Sequence, residues 1–170
     1  MDTQEFQFYY EENSKINIIL LTPFTAAGSF LFCGLLDGHP DIFVFPWFHR
    51  HYNYITRTTT VNEAIDLFIE ENEPFFNLKK YAKAFTPDLK DSCSVEEFTS
   101  WLNVFCKLWN EAFQKSMTDK DFFILTYMAY LKANNIELDK YSNVVIHLHG
   151  SEGAPPNLMN VFIIALPLNA

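Results

Sequence analysis

The amino-acid sequence predicts an α/β fold with an open parallel sheet flanked by helices. Short, continuous apolar runs occupy residues 18–21, 42–45, 144–146 and 161–164. Runs of this kind are typical of parallel strands that are buried on both faces. Helical spacing of apolar residues fills the middle of the chain. We therefore expect helices on the faces of the sheet and ligands at the carboxyl ends of its strands.

The first predicted strand is followed by a turn and then by a helix. Residues 18–21 are succeeded by Pro23 and Gly28, and a helical pattern continues to Gly38. The first amides of a helix have no partner within it and point at the preceding loop, so this order predicts an anion-accepting turn. Gly28 allows close backbone approach, and Ser29 supplies a hydroxyl. The residues that we predict for this turn are Thr25, Ala26, Ala27, Gly28 and Ser29.

The later elements follow from capping patterns and apolar spacing. The second strand, 42–45, is predicted to end at Pro46. Three patterns of Ser or Thr followed three residues later by Glu or Asp predict helix starts at Thr60, Ser94 and Thr118. The helix after Ser94 carries large apolar side chains at spacings of three and four, namely Phe98, Trp101, Leu102, Phe105, Trp109 and Phe113. Such a stripe is typical of the hydrophobic core.

Length and charge limit the classes of function. The 170 residues contain no internal repeat or linker, so we expect a single domain over residues 1–170. The net charge is −9 and the pI is near 4.9. These values argue against nucleic acid and anionic membranes as partners, because both are bound largely through Lys and Arg.

Two observations concern the location of the protein. Cys33, Cys93 and Cys106 are odd in number and lack metal-ligand spacing, so we expect buried free thiols in a reducing cytosol. Residues 16–36 carry no charge and are long enough to span a bilayer. However, Pro23 interrupts this run, and the segment before it is acidic, unlike a signal peptide or a positive-inside anchor. We therefore expect a cytoplasmic protein with no membrane span and no metal.

Residues 35–42, which read Leu-Leu-Asp-Gly-His-Pro-Asp-Ile, resemble the end of the opening motif of the sulfotransferase superfamily. In that family the loop before this helix holds the 5′ end of phosphoadenosine phosphosulfate (PAPS). Gly28 and Ser29 match the Gly-Thr of the family motif, and Ala26-Ala27 stands where relatives carry Arg-Ser. The resemblance implies that residues 25–29 are the cofactor-binding loop.

The last residues resemble a second motif of the same family. Residues 162–170 have the outline of the family strand whose Arg, with a following Ser, holds the 3′-phosphate of PAPS. Ala165 and Leu168 stand where the two Arg residues of that motif belong. The resemblance covers nearly the whole chain but only the N-terminal part of a family domain. It implies a P-loop-like, sulfotransferase-like and incomplete sheet.

The resemblance implies sulfuryl transfer from PAPS to a hydroxyl or amine of a small-molecule or glycan acceptor. Three cationic positions of the family are absent from this chain. Since each charge-assisted contact to a desolvated phosphate or sulfate contributes roughly 1.5–3 kcal/mol, we expect PAPS to bind weakly. The alternatives are a noncatalytic binding protein on the same fold, one segment of a split transferase with a partner chain at an exposed sheet edge near 161–166, and an unrelated parallel α/β domain.

Two pairs of histidines flank the predicted strand ends. His147 and His149 stand two residues apart at the end of the third strand, where they could act as a general base or bind a metal. Their spacing is equally typical of a solvent-facing or hydrogen-bonded pair, and no third ligand is specified. His49 and His51 enclose Arg50, a group that could replace the missing loop cation. His147 and His149 are the catalytic residues that we predict.

Overall fold

The computed structural model describes residues 1–23, 36, 39–49, 53–72, 76, 94–148 and 161–166. The fold is mixed α/β with a parallel sheet, as predicted. The chain forms two compact units. The helical unit comprises Met1–Lys15, Tyr52–Glu71 and Cys93–Lys140, and the sheet unit comprises Ile16–His51, Asn72–Ser92 and Tyr141–Ala170.

The helical unit contains the five helices of the described residues. They are α1 (Thr3–Asn13), α2 (Tyr54–Arg57), α3 (Val61–Glu71), α4 (Val95–Phe113) and α5 (Asp119–Ala133). The three predicted helix starts are confirmed, because the side-chain hydroxyls of Thr60, Ser94 and Thr118 accept backbone N–H groups three residues later at 3.0–3.2 Å. None of the described helices is long and apolar enough to cross a membrane.

Helices α4 and α5 supply most of the core of the helical unit. Eleven successive residues of α5, from Asp121 to Leu131, are buried. Of the predicted α4 stripe, four side chains are fully buried and Trp101 and Phe113 are half-buried; the buried ones are Phe98, Leu102, Phe105 and Trp109. Phe98 stacks on Phe68 of α3 with 5.6 Å between ring centroids. The assignment of this stripe to the core is therefore confirmed for the side chains that face the neighbouring helices.

The described residues of the sheet unit form four parallel strands in the order β2-β3-β1-β4. They are β1 (Asn17–Pro23), β2 (Ile42–His49), β3 (Asn143–Leu148) and β4 (Val161–Leu166). Val144, Val145 and Ile146 are successive residues of β3 and all are buried, so both faces of this strand are covered. This confirms for β3 the expectation drawn from its continuous apolar run.

Strand β2 corrects one prediction. The strand does not end at Pro46 but continues to His49. Its register against β3 shifts between Val44 and Phe48, a stretch that includes Pro46. Because proline has no backbone N–H, it removes a ladder hydrogen bond, and such residues are tolerated at bulges and in strands at the end of a sheet. Among the described strands β2 holds such a terminal position.

Other predictions fall partly outside the described residues. The helix expected after Gly28 is described only at Leu36, which is helical. Cys33 and Cys93 also lie outside. Cys106 is a buried free thiol, and burial raises its pKa to about 12. A thiol with so high a pKa is unreactive at neutral pH, and Cys106 is the buried free thiol that the sequence predicts.

Candidate functional site

The strand order defines a switch point in the middle of the sheet. From β1 the chain proceeds to β2 on one side, whereas from β3 it proceeds to β4 on the other side, and β1 and β3 are neighbours. In open α/β sheets, ligands bind outside the carboxyl ends of two neighbouring strands whose connections leave in opposite directions. The topology therefore locates the candidate site of the sheet unit at the carboxyl ends of β1 and β3.

The backbone register shows which residues meet at this edge of the sheet. Leu21 of β1 is paired with His147 of β3, and His147 is paired in turn with Phe48 of β2. Strand β1 ends at Pro23, two residues beyond this level, and β3 ends at Leu148. The predicted turn, residues 25–29, therefore follows β1 in the chain. His147 lies in β3 and His149 follows that strand in the chain, and β1 and β3 are neighbours in the sheet.

Strand β4 brings the second half of the family resemblance to the same edge. It pairs with β1 on the side opposite β3, and Ala165 is level with Thr22. The resemblance described for the sequence predicts that Ala165 stands where the family motif has an Arg, and this correspondence remains a prediction. The two segments that carry the predicted resemblance thus adjoin or form neighbouring strands, β1 and β4, although most of the chain separates them.

Most of the predicted site residues lie outside the described part of the chain. These are Thr25, Ala26, Ala27, Gly28, Ser29, His149, Arg50, His51 and Leu168. His147, His49 and Ala165 are placed by their backbone positions in β3, β2 and β4. The roles proposed for these residues remain predictions. Among the described residues, no group of three or more His, Cys, Asp or Glu side chains is arranged to hold a metal ion.

The charges of the chain are divided unequally between the two units. The helical unit has seven Lys and Arg residues and fifteen Asp and Glu residues, for a net charge of −8. The sheet unit has five Lys and Arg residues and six Asp and Glu residues, for a net charge of −1. The sheet unit by itself is therefore nearly neutral. However, its described residues include no Lys or Arg, so on their own they fit a multiply charged anion such as PAPS poorly.

A buried polar cluster in the helical unit was not predicted from the sequence. The Tyr10 hydroxyl donates to one carboxylate oxygen of Asp121, and the other oxygen accepts the backbone N–H of Thr118 at 2.7 Å and its hydroxyl at 2.6 Å. Burial, followed by the hydrogen bond to Asp121, raises the pKa of Tyr10 well above its ordinary value. Both carboxylate oxygens are engaged, so this cluster fastens α1 to the start of α5.

A second carboxylate of α5 holds the short helix α2. One oxygen of Asp119 accepts the backbone N–H groups of Ile55 at 2.7 Å and Thr56 at 3.1 Å, and the other accepts the Thr56 hydroxyl. At the far end of α2, Arg57 donates to both carboxylate oxygens of Glu71 at 2.9 and 2.5 Å. These charged groups bind other parts of the same unit, so we assign them a structural role.

Comparison with protein-family models, with curated proteins and with solved structures finds no match to this chain. The function must therefore be inferred from the switch point of the sheet unit and from the residues that follow its strands.

Proposed function

We propose that this protein is a sulfotransferase-like transferase with a degenerate donor site. In this proposal the sheet unit is P-loop-like, PAPS is held weakly at the carboxyl ends of β1 and β3, and the sulfuryl group passes to a hydroxyl or amine of the acceptor. The observation that carries the proposal is the switch point, because the resembling loop follows β1 and His147 is level with Leu21 on the adjacent strand.

The weak binding follows from the charges that the sequence lacks. Sulfuryl transfer, like phosphoryl transfer, depends on positioning the donor and on neutralising its nonbridging oxygens. Ala26, Ala165 and Leu168 replace three cations of the family motifs. At roughly 1.5–3 kcal/mol for each charge-assisted contact, their absence weakens binding on the order of a thousandfold or more. Backbone amides and Ser29 can orient an anion but do not neutralise it.

His147 and His149 are the proposed proton acceptors. A hydroxyl or amine acceptor must lose a proton when it is sulfurylated, and imidazole has an ordinary pKa near neutral pH. His147 ends the strand beside β1, and His149 follows two residues later. Both are thus assigned to the edge at which the topology expects a ligand.

Restoring the missing charges tests the donor site. Calorimetry with adenosine 3′,5′-bisphosphate at moderate salt should detect weak binding or none in the natural sequence. The variant Ala26→Arg, Ala165→Arg should bind at least about tenfold more tightly, because each new charged contact contributes more than 1.4 kcal/mol. The double variant Asn110→Arg, Ala133→Arg adds the same two charges to the helical unit and is the control. Micromolar binding by the natural protein, or equal affinity in the restored and control variants, would contradict the proposal.

Transfer of labelled sulfuryl groups from PAPS to hydroxyl and amine acceptors tests the chemistry. We expect His147→Ala and His149→Ala to abolish any transfer that is detected, whereas Ser29→Ala should only reduce it. Undiminished transfer by the double histidine variant would leave this pair with a structural role only.

A noncatalytic binding protein is the second candidate. It is favoured by the absence of Lys and Arg from the described sheet unit, which leaves an anion without a countercharge there. If the protein is a noncatalytic binder, the variant Ala26→Arg, Ala165→Arg binds adenosine 3′,5′-bisphosphate, but no sulfuryl transfer to any acceptor is detected. A split transferase is a related case, with a partner strand added beside β4, which pairs only with β1 among the described strands. Sulfuryl transfer would then be detected only after the partner chain is added.

A further inference from the structure

The outer face of α1 presents an exposed aromatic ring. The Phe8 side chain is 55 % exposed, more than either of the other exposed large apolar residues of the described chain, Met1 and Val104. Phe6 and Tyr10 face the opposite way, and their rings pack on Phe105 and Phe113 of α4 at 5.9 and 5.0 Å. The attachment of α1 is therefore provided by its other face. The ring contact recorded for Phe8 is with its neighbour Tyr9, at 5.4 Å.

Exposed polar and acidic side chains surround this ring. Residues three and four positions away on a helix are its neighbours on the helix surface. For Phe8 these are Gln4, Glu5, Glu11 and Glu12, all of which are exposed. We call these four residues together with Phe8 the α1 outer face. It combines an aromatic centre with three carboxylates, and aromatic centres with polar rims are typical of protein–protein interfaces.

The carboxylates of this face have local partners, and Glu5 lies 3.9 Å from the N-terminal amine of Met1. Glu11 accepts a hydrogen bond from Gln7 at 3.0 Å, and Glu12 pairs with Lys15 at 2.6 Å. Exposed pairs of this kind contribute little to stability and exchange readily with solvent or with a charged partner. The face is also part of the helical unit, whose net charge of −8 attracts cations and repels phosphate groups.

We propose that the α1 outer face binds a basic segment of another protein. The occupant is an Arg-rich stretch, in which one guanidinium lies over the Phe8 ring and others pair with Glu5, Glu11 and Glu12. Arg suits this face because it stacks on aromatic rings and forms paired hydrogen bonds with carboxylates. Charge complementarity selects this partner, since nucleic acids and anionic lipids would meet three carboxylates. The proposal does not depend on the transferase assignment, which concerns the sheet unit.

The probe is a synthetic Arg-rich peptide, titrated into the full chain by calorimetry at low salt. We expect Phe8→Ala to weaken binding about two- to fivefold, since it removes the stacking surface. Val104→Ala is the control, because it removes another exposed apolar side chain, on α4, and should change the affinity less than about twofold. Glu5→Gln with Glu12→Gln should weaken binding severalfold and reduce its dependence on salt. Circular dichroism establishes that each variant is folded.

Several results would overturn the proposal. Absence of peptide binding to the natural protein is one, and equal losses in Phe8→Ala and Val104→Ala are another, since they would indicate nonspecific attraction between opposite charges. Tighter binding of phosphatidylserine vesicles than of the peptide would also exclude it. So would self-association of the protein that Phe8→Ala abolishes, because the occupant would then be a second copy.

Discussion

The helical unit and the sheet unit differ in how they use polar and charged residues. In the helical unit, carboxylates cap helices and join them, as Asp121 does with Thr118 and Tyr10. In the sheet unit, the described strands are mostly apolar, and a polar contact between β1 and β3 is formed by Asn17, which donates to Asn143 at 3.1 Å. The helical unit carries a charge of −8 and the sheet unit a charge of −1.

This difference shows why the charge of a whole chain is a poor guide to one site within it. A net charge of −9 argues against anion binding only if the charge surrounds the site. Here most of it belongs to the unit that does not contain the switch point. In the proposed transferase, the expectation of weak PAPS binding rests on particular residues, Ala26, Ala165 and Leu168.

The largest effect is expected where the helical unit packs aromatic rings. Phe98→Ala removes a fully buried ring that stacks on Phe68 and should lower the free energy of unfolding by about 3–5 kcal/mol. Phe8→Ala is the same substitution at an exposed position and should change it by less than about 0.5 kcal/mol. Urea unfolding followed by circular dichroism measures both. Similar losses in the two variants would show that packing between α3 and α4 does not stabilise this unit.

An intermediate effect should show how strictly apolar the sheet unit is. Val145→Thr places a hydroxyl in a fully buried position of β3 and should lower the free energy of unfolding by about 1–3 kcal/mol. The reason is that the hydroxyl loses its hydrogen bonds to water and gains no hydrogen-bond partner in the protein. Val104→Thr is the same change at an exposed position of α4 and should cost less than about 0.5 kcal/mol. Urea unfolding again measures the loss. A neutral Val145→Thr would mean that the sheet unit accommodates polar groups as readily as the helical unit does.

The smallest effect concerns the buried cluster of Tyr10 and Asp121. Tyr10→Phe removes one hydrogen bond and should cost roughly 1 kcal/mol at neutral pH. The pKa of Tyr10 is raised in the folded protein, so the folded state retains this proton more strongly than the unfolded state does. Its contribution to stability is complete below the unfolded pKa of about 10 and declines as the pH rises toward the folded pKa.

The pH dependence separates this contribution from a simple loss of packing. Above about pH 10, the natural protein should lose up to about 1.4 kcal/mol per pH unit more than the Tyr10→Phe variant. Unfolding curves measured between neutral and alkaline pH supply the comparison. Parallel pH profiles would show that Tyr10 titrates alike in the folded and unfolded states.

Much of the secondary structure could be predicted because its signals are local. Ser94 and Thr118 cap their helices through contacts that span three residues, and the apolar runs of β1 and β3 occur in single short segments. Helix α1 was not predicted, although Asp2 followed by Glu5 is such a capping signal, and the Asp2 side chain accepts the Glu5 N–H at 2.9 Å. Few residues of this helix are buried, namely Phe6, Tyr10 and Asn13, so its amphipathic pattern is weak. The apolar spacing therefore did not indicate a helix.

The candidate site could be predicted only as two separate segments. The loop after β1 and the histidines after β3 were each identified from their own neighbourhoods. Nothing in either segment indicates that Leu21 and His147 are paired, because all four apolar runs give the same local signal. The Tyr10–Asp121 contact was missed for a similar reason, since it joins residues far apart in the chain.

The sequence by itself determined where the apolar strand segments and the helices that begin at Thr60, Ser94 and Thr118 occur, and it determined the total charge of the chain. Tertiary structure alone decided the order β2-β3-β1-β4, the continuation of β2 beyond Pro46, and the exposure of Phe8 on a helix that buries Phe6 and Tyr10. The physical reason is the range of the interactions. Caps and apolar periodicity act over a few residues, whereas strand neighbours and buried faces depend on contacts between distant segments, which form only when the chain has folded.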